Sequence, residues 1–440
     1  MKLLIVDTGG MCLDLAIRSM ACGHQVRCYI RNNKDGSRSE VGDGMVDRVP
    51  HWEDHMNWAD LIFCTDNNMY VHALERYRDQ GYPIFGPSID TTRWEQDREV
   101  GADAHCRCDV PTIPMEKFKN YDDAIAYVTN NPIRYVSKPL GDGEKALSYV
   151  SKDAADMVYM LQYWKKKNSY KGEFVLQQFV KGLEFGVGGW FGRNGFSKWW
   201  CESWEHKKLM NDDLGVNTGE QGTIVRYTEK SKLAEDVLKP AEDMLMGLGY
   251  TGYVDVNCMI DKSGTAWPLE WTMRPGWPLF NIQQSLHKGD PIEWMLDLID
   301  GKDTLKCSTD IACGVVVSIP DYPYSRLTKK ECSGYPLFGL TEEDAMKNVH
   351  LSEVQIGKAP CMVDGKLKMN VPMYVTAGDY VCIVTGTGET VTEARDHCYD
   401  VIKNKIQIPN SVAYRTDIGK KLEHDVPELK KHGFATGVKY

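Results

Sequence analysis

Residues 252–276 read GYVDVNCMIDKSGTAWPLEWTMRPG: an apolar run, the turn Asp261-Lys-Ser-Gly264, and a second run whose polar positions alternate. Residues two apart in a strand share a face, so Glu270, Thr272 and Arg274 project together while Trp271 and Met273 pack behind them. The turn reads as a hairpin that brings Asp255 near Glu270. Two carboxylates side by side repel unless a cation lies between them. Oxygen donors on neighbouring strands suit Mg²⁺, which takes one or two protein carboxylates and completes its octahedron with water and phosphate oxygens. Arg274, next along the same face, is then placed to hold a phosphoryl group in flight. The competing explanation is a structural Asp and Glu with separate partners on a solvated strand face.

The 440 residues, 42% hydrophobic and 26% charged, suit a globular chain, and about 150 residues per domain predicts about three domains. A net charge of −10, from 52 basic and 62 acidic side chains, argues against nucleic acid as a partner, because backbone binders need a concentrated cationic surface. No stretch reaches the roughly 18 apolar residues of a membrane span, and the opening MKLLIVDTGG turns into a strand and glycine turn instead of a signal peptide. A cytoplasmic protein with no membrane contact is expected. The fourteen cysteines are scattered singly apart from Cys106-Arg-Cys108. Most sit in apolar runs such as LIFC and YVCIV, which predicts reduced thiols and neither a disulfide framework nor zinc.

The first hundred residues alternate short apolar runs (KLLIVD, QVRCYI, ADLIFC, YPIFG) with helix-like segments, the punctuation of a parallel βαβ sheet. The turn Asp7-Thr-Gly-Gly10 is either a phosphate cradle or a tight turn without a ligand, and it lacks the full dinucleotide fingerprint. From about Pro111 short strands and glycine-containing loops take over. A third block begins near Ala312 and closes on strand, turn and helix in YVCIVTGTGETVTEARDHCYDVIKNK. Lys420 to Lys431 reads as a charged, solvated surface helix.

Two further segments carry candidate chemistry. In Lys138-Pro-Leu-Gly-Asp-Gly-Glu-Lys145 two lysines and two glycines follow an apolar strand, so ammonium and backbone N–H groups can converge on phosphate, or the segment is a solvated turn. In VLQQFVKGLEF an apolar strand runs through Gln177, Gln178, Phe179 and Val180 to Glu184. That segment suits an adenine hinge with a ribose-binding carboxylate, and equally a plain strand ending in a turn.

In order, the strand-lysine-glycine loop, the hinge with Glu184 and the hairpin ending E-x-T-x-R-P-G resemble the ATP-grasp superfamily. The resemblance extends to the phosphoribosylamine–glycine ligase family over nearly the whole chain: ADLIFC…ALERYRDQGYPIFGPS, Trp94-Glu-Gln-Asp-Arg98 with VPTIP, YVSKPLGDGEKA, QQFVKGLEFGV, EHKKL…GVNTGEQG, PLEWTMRPG, and the closing GDYVCIVTGTGETVTEARDHCYDVIKNKI…YRTDIGKKL. It implies an α/β and α+β multidomain fold: a Rossmann-like N-terminal domain at 1–103, an ATP-grasp domain at 104–310 and a small α/β C-terminal domain at 311–440.

The same resemblance implies ATP and Mg²⁺ as cofactors. Arg98, Lys138 and the loop with Gly141, Gly143 and Lys145 would cover phosphates. Gln177 to Val180 would line adenine and Glu184 the ribose. His206, Lys207, Asn217, Thr218, Gly219 and Arg274 would hold substrate, and Asp255, Glu270 and Thr272 the metal. Catalysis would rest on Arg274, Lys138 and Glu270, with an amino acid such as glycine and an amine such as phosphoribosylamine as partners. There are departures. Thr272 stands where the family has asparagine and Arg98 where it has lysine. Pro275-Gly-Trp-Pro278 replaces an acidic stretch, and Met11-Cys12-Leu13, Cys64-Thr-Asp-Asn-Asn68 and Gly378-Asp379-Tyr380 replace residues that seat phosphoribosylamine. The expected activity is amide formation through an acyl phosphate with release of ADP and phosphate. The alternatives are ligation to a different amine-bearing nucleotide or metabolite, or a catalytically silent nucleotide-binding relative.

Overall fold

The computed structural model describes residues 1–140, 148–169, 172–324, 331–409 and 412–440. Among the described residues the mixed α/β architecture holds three main sheets and two small ones. The alternating N-terminal runs form a five-stranded parallel sheet in the order Asp47–Arg48, Gln25–Ile30, Lys2–Asp7, Leu61–Cys64, Ile84–Phe85. Helix Ile89–Gln96 ends where Asp97 caps helix Arg98–Arg107 by accepting from the Glu99 and Val100 N–H groups, a polar stop that sets the two helices at a corner.

The turn after the first strand is no cradle. The Asp7 carboxylate itself accepts the N–H groups of Gly9, Gly10 and Cys12 at 2.9, 3.0 and 2.8 Å. The donors an anion would need are already taken by the chain's own carboxylate.

The middle of the chain supplies a four-stranded antiparallel sheet, ordered Met115–Phe118, Phe174–Gln178, Tyr135–Pro139, Tyr149–Val150. Helices Tyr121–Asn130 and Ala154–Lys167 back it, burying Ala124, Val128, Met157, Leu161 and Trp164 against its strands. Opposite stands an eight-stranded sheet: Ala266–Thr272, Gly252–Asp261, Gly182–Gly192, Gly195–Met210, Leu214–Thr228, Ile311–Ser318, Tyr380–Gly388 and Val349–Leu351. It continues from Leu214–Thr228 straight into Ile311–Ser318, so its hydrogen bonding runs through the 310/311 division drawn from the sequence.

The tail is not a solvated helix. Helix Leu422–Lys431 buries Leu422, Val426 and Leu429, and Phe434 and Val438 beyond it join the largest apolar core. Its charges occupy the outer face of an amphipathic helix, and the periodic apolar positions decide how it docks. The fourteen cysteines form no disulfide and most are buried. Among the described residues no helix is long and apolar enough to cross a membrane.

Candidate active site

The hairpin at 252–276 forms with one correction to its pairing. Asp255 lies opposite Thr272 and Asn257 opposite Glu270, with a register shift between Asn257 and Cys258. Cys258 pairs with Pro268 and Asn257 with Glu270, so Leu269 is an extra, bulged residue. Pro268 has no N–H to donate, which favours a bulge there. Without it Glu270 would fall opposite Val256, on the buried face, because a one-residue slip exchanges the faces of a strand. The bulge therefore aims Glu270 and Thr272 to the side occupied by Asp255 and Asn257, while Trp271 and Met273 are buried behind.

The four- and eight-stranded sheets enclose a cavity of about 500 Å³. Lys138, Gln177, Gln178, Phe179 and Val180 line it from the smaller sheet, and Glu184, Lys207, Asn217, Thr218, Gly219 and Glu270 from the larger. Arg98 lines it from its helix, and Ile113, Val136, Met259 and Leu269 give it apolar walls. The Gln178 and Phe179 N–H groups are committed to the Pro114 and Arg134 carbonyls at 2.9 Å each, so Val180 is the first hinge residue past these pairings.

A second cavity of about 650 Å³ opens towards the N-terminal sheet and is lined by Asp255, Thr272 and Arg274 together with Asn67, Glu95 and Trp277. Arg98, Glu205, Lys207, Gly219 and Glu270 line both spaces. Gly141, Gly143 and Lys145 lie outside the described residues.

Lys207 sits at the junction, 3.1 Å from Glu205, 3.2 Å from Glu184 and 3.6 Å from Glu270. Glu270 also pairs with Arg98 at 3.1 Å. Burial alone would raise the Glu270 carboxyl, but Lys207, Arg98 and Lys138 hold it well below the usual carboxylate range. Glu184 is likewise held down against its burial by Lys207, Lys421 and a hydrogen bond from Asn257. Loss of hydration, then Arg98 and Lys207, push the half-buried Lys138 ammonium down to about 7. Arg274 is anchored through Glu95, whose carboxylate lies 3.1 Å from the guanidinium and accepts from the Met273 N–H at 2.9 Å and from Asn67 at 2.7 Å.

His206 faces away from this cleft. As the neighbour of Lys207 in a strand it points to the opposite side, where its Nε2 accepts the Gly419 N–H at 3.1 Å. Burial, with Lys421 and Arg415 close by, keeps it neutral. The sequence reading singled out neither Glu205, Glu220 and Asn257 nor Glu95 and Lys421. Glu205 and Asn257 were within reach of the alternation rule, two positions from Lys207 and Asp255. Lys421, whose Nζ donates to the Glu205 carbonyl at 3.1 Å, gave no local signal, since more than two hundred residues separate it from its partner.

An all-oxygen set of Glu270, Asp255 and Thr272 beside a polyphosphate-sized space fits Mg²⁺, which needs few protein ligands. Among the described residues no three His, Cys, Asp or Glu side chains form a ready-made metal cage.

No protein-family model matches the chain. It is 24% identical over 447 residues to the phosphoribosylamine–glycine ligase of Neisseria meningitidis serogroup B, spanning 96% of this chain and 99% of that one. Its fold is shared with the crystal structure of phosphoribosylamine–glycine ligase from Thermotoga maritima, at a TM-score of 0.71 and 20% identity over 95% of this chain and 100% of that one. Biotin carboxylase from Campylobacter jejuni, solved as a β,γ-ATP complex, aligns at a TM-score of 0.63 with 12% identity over 98% and 97% of the two chains.

Proposed function

We propose that this chain is an ATP-dependent carboxylate–amine ligase of the phosphoribosylamine–glycine ligase type, with 1–103, 104–310 and 311–440 as Rossmann-like, ATP-grasp and C-terminal parts. The observation that carries it is Glu270, held ionised between Arg98 and Lys207 where the two cavities meet. One cavity has the apolar walls and backbone groups of a nucleotide site. The other has a guanidinium for an acid substrate.

ATP would lie with adenine between the apolar walls, its base edge read by the backbone of Val180 and its ribose hydroxyls donating to Glu184. Lys138 and Arg98 face the phosphates. Glu270, with Thr272 and Asp255, would hold Mg²⁺, which offsets phosphate charge when bound. Arg274 would hold the carboxylate substrate in line with the terminal phosphorus, with Gly219 on the wall the two cavities share and Asn217 and Thr218 on the nucleotide side of it.

The carboxylate oxygen bonds to that phosphorus as the bond to ADP breaks. The amine nitrogen then attacks the acyl carbon, phosphate leaves, and the amine's proton passes to solvent. Fixed cations stabilise the charge developed in the first step at little reorganisation cost. Glycine and phosphoribosylamine are the default substrates.

ADP release from Mg²⁺-ATP with a panel of amino acids and amines tests this. Glu270→Ala and Arg274→Ala should each abolish turnover with the fold intact. Normal turnover in either would remove the assignment. ATP binding with no ADP release from any pair would leave a binding protein instead of a ligase.

A further inference from the structure

Strand Ala266–Thr272 is the outermost of its eight-stranded sheet, so it has a neighbouring strand on one side only, and the bulge at Leu269 interrupts even that ladder. A bulged edge strand holds the direction of its side chains weakly by hydrogen bonding alone. The direction of Glu270 therefore depends on what packs against the strand from elsewhere.

Helix Arg98–Arg107 does so. Arg98, Gly101 and His105 are spaced by three and four residues and share one face of the helix, and that face meets three consecutive residues of the strand. The Arg98 guanidinium donates to the Leu269 carbonyl at 3.5 Å and to the Glu270 carboxylate at 3.1 Å. The Gly101 carbonyl accepts the Trp271 indole N–H at 3.0 Å. The His105 ring lies flat on the Trp271 ring, with 4.2 Å between centroids and 13° between planes, and Trp94 packs on the same indole at 5.0 Å. A Cβ at Gly101 would stand 2.5 Å from the Trp94 carbonyl oxygen and 3.1 Å from Trp271 Cδ1, so a larger residue there would push the indole off its seat. His105 is buried, and neither ring nitrogen has a hydrogen-bond partner among the described residues. What it supplies is the face of its ring.

We infer that Gly101, His105 and Trp271 are positioning residues for Glu270: the helix face clamps the indole, and the clamped indole holds the neighbouring carboxylate at the junction of the two cavities. Adjacent residues of a strand point to opposite sides. An indole that cannot turn thus leaves Glu270 a single direction, towards Asn257 and the cavities. This rests on the ligase reading and deepens it, since the carboxylate expected to hold Mg²⁺ is aimed by a helix outside its own sheet.

Calorimetric measurement of ADP affinity for the full chain, with and without Mg²⁺, tests the clamp. Mg²⁺ should tighten ADP in the wild type, and Glu270→Ala should remove that gain. His105→Ala, which takes away the stacked ring, should cut the gain about tenfold and leave the affinity for ADP alone unchanged. His105→Phe, which restores a flat ring, should recover the gain. Trp271→Phe, which keeps an apolar ring and loses the N–H to Gly101, should reduce the gain in the same sense and serves as a second variant should His105→Ala fail to fold. A full Mg²⁺ gain in His105→Ala or in Trp271→Phe, a loss that His105→Phe does not recover, or an equal fall in ADP affinity without the metal would overturn the inference. So would a lowered melting temperature with the gain intact, since the helix would then serve stability alone. A gain lost in Glu270→Ala and kept in His105→Ala sinks the clamp and spares the ligase reading, whereas no gain in the wild type, or a full gain in Glu270→Ala, removes the metal assignment and the clamp with it.

Discussion

Nucleotide binding should draw a proton from solvent on the alkaline side, and Lys138 is the group expected to take it. Without nucleotide, loss of hydration, then Arg98 and Lys207, bring its ammonium from 10.5 to about 7, with Glu270 and Glu184 opposing. A polyphosphate against the side chain favours the charged form and returns it towards the ordinary lysine range. At about pH 8 roughly 0.9 of the molecules hold neutral Lys138 and must gain a proton on binding, whereas at about pH 6 only about 0.1 do. Affinity for ADP should be level below about pH 7 and fall about tenfold, about 1.4 kcal/mol, for each unit above it.

For the empty protein the sign is reversed. A folded-state value below the unfolded one means the unfolded chain holds more protons between about 7 and 10.5, so this group adds stability as pH rises through that window. Calorimetry of ADP binding near pH 8 in two buffers with different ionisation heats counts the protons directly. Lys138→Met should abolish the difference between buffers. Identical heats in both buffers for the wild type, or an undiminished difference in Lys138→Met, would refute the placement of Lys138 against the phosphates.

Glu95→Ala should raise the KM for the carboxylate substrate about tenfold with ADP affinity unchanged, because it removes the charged hydrogen bonds that orient Arg274 and nothing in the nucleotide cavity. Equal KM values would show that Arg274 needs no such anchor. Burial holds His105 and His287 down to about 3, lowers His350, and with nearby cations lowers His206 well below its ordinary value. His105, His206 and His287 are neutral when folded, so below about pH 6.5 the unfolded chain takes up protons that these folded histidines cannot, and stability falls by up to about 1.4 kcal/mol per such histidine per pH unit. Thermal melts at about pH 7 and pH 5 should show a steep acid loss. His105→Phe, which keeps the ring stacked on Trp271 at a present centroid distance of 4.2 Å, should lessen it, and an unaltered pH profile would count against that account.

The parts of the site visible in the sequence are those governed by local periodicity. A two-residue repeat put Glu270, Thr272 and Arg274 on one face, and alternating apolar runs announced the parallel N-terminal sheet. The resemblance to the ligases supplied the company expected of Lys138 and Glu184. Elsewhere the same local rules left the answer open. The Asp7 turn could hold a phosphate until its own carboxylate was seen on the Gly9, Gly10 and Cys12 N–H groups. Charge along 420–431 suggested solvent exposure until Leu422, Val426 and Leu429 were found docked.

Sequence by itself determined which side chains share a face, because side-chain direction repeats with the backbone over a few residues. Only the tertiary structure decided what each face meets. The bulge at Leu269 turns Glu270 towards Asn257 and not Val256, and His206 looks away from the cleft its neighbour Lys207 fills. Glu95 reaches across from helix Ile89–Gln96 to hold Arg274, and Glu220 is buried where Glu205 and Asp255 both act on it. Register, docking and burial depend on partners tens to hundreds of residues away, and so does the electrostatic state of each group, since charge is stabilised by whatever stands opposite and not by what adjoins it in the chain.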